Sequence, residues 1–128
     1  MTSYSIDDLR RTIEAFFDAH PQIRSETTSR GVHLRVFRTQ SGLPIGHEHQ
    51  QTTMQGIWVR RDSVRLDRLK HLDWRLKTEL DQHRATTDGV VGRNSNLESV
   101  DGFAGDALIY FRVKDPAEFS TIMGELLG

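Results

Sequence analysis

The chain has 128 residues, of which 36% are hydrophobic and 27% charged, and its formal net charge is −1. Those values suit one domain, residues 1–128, with a modest core; they exclude disorder by self-repulsion and a globally basic nucleic-acid binder. Cysteine is absent, which rules out disulfides, thiolate metal sites and cysteine nucleophiles.

The first helix begins at a clear signal. Ser5 can cap it, Asp8 stands three residues on, and Ile6, Leu9, Ile13, Phe16 and Phe17 recur at helical spacing. His20-Pro21 should end it, because proline disfavours helical geometry in the residue before it. Residues 23–38 then read as two strands around a turn at Ser29-Arg30-Gly31. In the second strand Val32, Leu34 and Val36 alternate with His33, Arg35 and Phe37, the period of a half-buried strand. Residues 39–51, with Gly42, Pro44 and Gly46, read as a polar loop. Residues 52–60 form a third strand with apolar side chains on both sides, which implies a central place in the sheet.

A long helix is expected from residue 62 or 63 to about residue 84. Leu66, Leu69, Leu72, Leu76 and Leu80 make its stripe, with Asp73–Lys77 and Arg75–Glu79 as pairs four apart. Residues 85–105 have no period and four glycines, which makes an unusually long loop for a compact domain. A last strand over 107–113 leads into the strongest helix start, Asp115-Pro116-Ala117-Glu118: a cap, proline in the first turn and the glutamate of a capping box. The expected fold is α+β, in the order α-β-β-β-α-β-α: a mainly antiparallel sheet of about four strands with three helices. No basic segment followed by an apolar one opens the chain, and no apolar run approaches the ~20 residues of a membrane helix. A soluble, cytoplasmic protein without membrane contact is the expectation.

Three stretches could carry chemistry. His47-Glu48-His49 places two imidazoles around a carboxylate, and His33 could add a third metal ligand, with Glu48 as general base. The segment lacks the helical His-Glu-x-x-His pattern, so an exposed loop pair is expected. A metal-assisted hydrolase on His33, His47 and His49 is the alternative. Residues 57–77 hold seven bases (Arg60, Arg61, Arg65, Arg68, Lys70, Arg75, Lys77) against three acids, whereas residues 95–128 hold two bases against six acids. That polarity suits a phosphate-bearing partner, or the acidic face of another copy in a homo-oligomer. Arg93, Asn94, Ser95 and Asn96 supply a fork and small polar groups for a phosphate or a base edge, without the lysine ending of a phosphate-binding loop. No nucleophile elbow or dinucleotide fingerprint occurs, and no cofactor is expected. The expected function is a small binding module without catalysis of its own. Its ligand is phosphate-bearing, nucleic acid first, held by an arginine-rich face of Arg60, Arg61, Arg65, Arg68 and the Arg93–Asn96 loop. A protein-interaction or self-assembling domain is the other alternative.

Overall fold

The computed structural model describes residues 5–26, 34–77 and 107–127. Its elements are α1 (Ile6–Ala19), β1 (Ile23–Glu26), β2 (Arg35–Thr39), β3 (Pro44–Glu48), β4 (Gln55–Arg60), two 3-10 turns (Arg61–Ser63 and Leu66–Arg68), β5 (Trp74–Lys77), β6 (Leu108–Val113) and α2 (Pro116–Leu127). The strands form one sheet in the order β1-β2-β3-β4-β6-β5, every neighbouring pair antiparallel. The fold is thus α+β with six strands and two α-helices among the described residues, not the four and three expected.

The capping signals work as read. Ser5 Oγ accepts from the Asp8 amide at 3.0 Å, and Asp115 Oδ1 accepts from the Glu118 amide at 2.9 Å. Glu118 reaches back one residue beyond the cap, accepting from the Lys114 amide at 2.8 Å. Both helices lie on one face of the sheet. Leu9, Ile13 and Phe17 of α1 and Phe119, Ile122 and Met123 of α2 are buried there with Phe37, Ile45, Ile57, Val59, Ile109, Phe111 and Val113. Phe17 stacks on Phe37 at 4.2 Å between centroids and meets Phe119 edge-on at 5.5 Å. Leu34, Val36, Trp58 and Leu108 form a second buried cluster on the opposite face, with Tyr110 packed against it.

Two expectations give way. The 39–51 loop contains β3, whose buried Ile45 and His47 point to the helices while Pro44, Gly46 and Glu48 point away. Its glycine and proline hid it: Gly46 pairs with Trp58 in the register of β3 and β4. The long helix of residues 62–84 is replaced, over its described part, by 3-10 turns and β5. Leu66, Leu69 and Leu72 are three apart, which fits 3.0 residues per turn as well as an α-helical stripe. The bonds are of that kind: Leu69 N donates to Leu66 O and Leu72 N to Leu69 O, each at 3.0 Å. Asp73, expected to pair along a helix, lies 3.2 Å from Lys114 Nζ and 3.7 Å from Arg112. Leu80, Glu79, the turn at residues 29–31 and the loop of residues 85–105 lie outside the described residues. No described helix is long and apolar enough to cross a membrane.

Phe119 is 2% exposed at the junction of both helices with the sheet. Phe119→Ala should cost ~3–5 kcal/mol in urea unfolding, as large-to-small core changes do. A loss below about 1 kcal/mol would contradict this packing.

Candidate functional site

Strand alternation sorts the polar residues of the sheet. On the helix side, β3 and β4 bring His47 and Gln55 together, both fully buried. Gln55 Nε2 donates to the carbonyls of Gln51 at 3.0 Å and Met54 at 3.1 Å, which leaves Oε1 as the acceptor. The imidazole therefore carries its hydrogen on Nε2 and donates it to Gln55 Oε1 at 2.7 Å. Its Nδ1 has no hydrogen-bond partner among the described residues. Burial holds the His47 pKa down at about 4, with His49, Arg35 and Arg10 adding repulsion against the bond to Gln55. His47 is thus a core residue of β3, not the exposed loop residue expected.

This geometry divides the His-Glu-His set. The His47 and His49 rings are 6.0 Å apart, but Glu48 projects to the opposite face. There Glu48 accepts from Trp58 Nε1, from Tyr110 Oη at 3.2 Å and from Gln51 Nε2 at 3.0 Å. A general base beside the two imidazoles is therefore not what Glu48 provides. His33 lies outside the described residues, among which no group of three or more metal-ligating side chains occurs. Tyr110 packs on Trp58 at 4.5 Å, and its ring covers Gly56. Burial first, then the charge of Glu48 and the bond to it, push the Tyr110 hydroxyl pKa upward.

The same helix-free face collects the strand-borne cations Arg24, Arg38, Arg60, Arg75 and Arg112, against Glu26 and Glu48. Arg24 is opposite Arg38, Arg38 opposite Pro44, Arg60 opposite Leu108, and Leu108 opposite Lys77. Ile45 is opposite Val59, which sets Pro44 beside Arg60 and completes one line across all six strands. Its length is ~24 Å at the usual ~4.8 Å between strands. Arg61 follows at the same end, its amide bonded to Ala107 O at 2.9 Å. Some of these cations are tied: Arg38 Nε to Glu26 at 3.1 Å, and Arg60 to both Asp62 oxygens at 3.0 Å. The Arg60 bond draws the Asp62 carboxyl below its usual range. Arg24, Arg61 and Arg75 are exposed and form no ion pair with a described residue.

The described arginines read from the sequence sit on different elements. Arg60 and Arg61 stand at the sheet end, Arg65 is exposed ahead of the second 3-10 turn, and Arg68 turns to Glu125 of α2 at 3.9 Å. Arg93, Asn94, Ser95 and Asn96 lie outside the described residues. The reading missed Arg24, Arg38 and Arg112, although each alternates with an apolar or acidic partner along its strand. Which side a strand presents depends on its pairing, and that signal is not local.

His47 gives a pH dependence of defined sign. Its folded-state pKa of about 4 is below the ordinary 6.5, so the unfolded chain binds a proton first as pH falls. Its neutral form is accommodated in full above pH ~6.5; stability then falls by about 3 kcal/mol between pH 6.5 and 4. Unfolding at several pH values should show this drop in the wild type and a smaller one in His47→Leu. Gly56→Ala places a methyl 2.4 Å from Tyr110 Oη, so the ring must leave Glu48. A loss of ~1–3 kcal/mol with a shift in tryptophan emission is expected, and an unchanged spectrum would contradict the contact. No protein-family model, curated protein or solved structure matches the chain.

Proposed function

We propose that this chain is a binding module for a phosphate-bearing ligand, nucleic acid first, which it engages at the cationic end of the sheet. One observation supports the reading: Arg24, Arg38 and Arg60 fall in a single line across the sheet, with Arg61 beside it. A guanidinium offers a planar fork to phosphate oxygens. Bonds to Glu26 and Asp62 hold two of the forks in place rather than letting them wander. From Arg24 to Arg60 the line spans ~14 Å at ~4.8 Å between strands, about four base-pair steps along a duplex axis. Arg60 and Arg61 thus act with Arg24 and Arg38, while Arg68 faces Glu125.

Anisotropy titrations with labelled DNA and RNA at two or more salt concentrations test it. Each phosphate contact should contribute ~0.7–0.9 to the slope of log affinity against log salt. Arg24→Ala and Arg61→Ala should each lower the slope by about one unit for every sequence alike. Arg11→Ala, exposed on α1, should leave it unchanged. No binding at low salt, or equal losses at Arg11 and Arg61, would overturn the reading.

A further inference from the structure

The cation line ends at a groove. Ile23 is opposite Thr39, so the turn before β1 and the turn after β2 lie side by side. Two clefts flank them. One, of about 210 Å³, is walled by Arg24 and Arg38. The other, of about 320 Å³, is walled by Leu126 and Leu127 at the end of α2. Both share Gln22, Thr39 and Gln40, so the clefts are neighbours at this end of the sheet. The rim is built, not incidental. Thr39 Oγ1 accepts from the Leu43 amide at 3.1 Å and lies 3.0 Å from Ser41 Oγ. Gly42 takes φ of 92°, which glycine adopts readily, and Arg38 Nη1 donates to its carbonyl at 3.2 Å. Gln22 and Gln40 are exposed, and neither carboxamide is bonded to a described residue.

We propose that the neighbouring clefts hold one nucleotide, an adenylate by preference, as a subsite of the cation line. The inference rests on the phosphate-binding reading above and names its ligand. The wider cleft offers two leucines to the flat face of a base and two carboxamides to its edge. A carboxamide matches adenine N6 and N7 with one acceptor and one donor. The narrower cleft sets Arg24, which has no ion pair with a described residue, where the 5′-phosphate follows. Its volume of about 320 Å³ places the wider cleft within the usual size range of small-ligand sites.

Calorimetric and NMR titrations of the full chain with AMP, CMP, UMP, ribose 5-phosphate and inorganic phosphate test this. AMP should bind most tightly and shift the Gln22 and Gln40 side-chain amides and the Leu126 and Leu127 methyls. The double variant Gln22→Ala/Gln40→Ala should weaken AMP about tenfold and leave ribose 5-phosphate unchanged, while Arg24→Ala should weaken both. Both glutamines are exposed, so folding is not at stake. Equal affinity for all five probes, or an AMP affinity indifferent to the glutamines, overturns the subsite. If oligonucleotides still bind with the expected salt slope, only the subsite falls. If they do not bind either, the phosphate-binding reading falls with it.

Discussion

Strand β4 is shielded from water on both of its faces, and the rest of the molecule is arranged around that constraint. Ile57 and Val59 lie against α1 and α2, while Trp58 on the other side is 6% exposed. A strand in this position has no solvent to satisfy its polar neighbours. Each must find a partner inside, and Gln55 and Glu48 do: one binds His47 and two carbonyls, the other Trp58, Tyr110 and Gln51. Glycine meets the steric side of the same constraint. Gly46 and Gly56 sit next to the two large rings, and the Tyr110 ring occupies the space a side chain at 56 would need.

The two polar clusters are linked through the turn between β3 and β4. The Gln51 carbonyl accepts from Gln55 and from Arg10 of α1, and its side chain donates to Glu48. Arg10 also donates to the His49 carbonyl. One turn thus ties the first helix, the buried imidazole and the carboxylate of the opposite face. A disturbance on either face has a covalent and hydrogen-bonded route to the other.

Charge is distributed by the same logic. The middle of the helix-free face is apolar and buried, so its cations occupy the strand ends and the outer strands, where their heads reach water. Pairs such as Arg38–Glu26 and Arg112–Asp73 stand at or near the surface, and such contacts are worth ~0–1 kcal/mol. Their consequence is orientation more than stability. Arg68–Glu125 joins the basic middle and the acidic end of the chain within one molecule.

Local signals in the sequence sufficed for α1, α2, β4 and β6. Caps, a helical stripe and an alternating run are properties of neighbouring residues, and tertiary packing did not override them. The leucines of residues 66–72 were legible as apolar but not as to geometry, because a spacing of three serves 3-10 turns and an α-helix alike. β3 was not legible, since Gly46, Pro44 and His47 resemble a loop until Trp58 and Gln55 are seen opposite. The candidate site was the least legible part. Arg24, Arg38 and Arg60 are scattered over 37 positions, and only the register of four strands lines them up. The sequence by itself determined which residues carry charge and which segments repeat with a period. Tertiary structure decided which charges share a face, because a strand's period of two leaves its side undefined until a neighbour pairs with it.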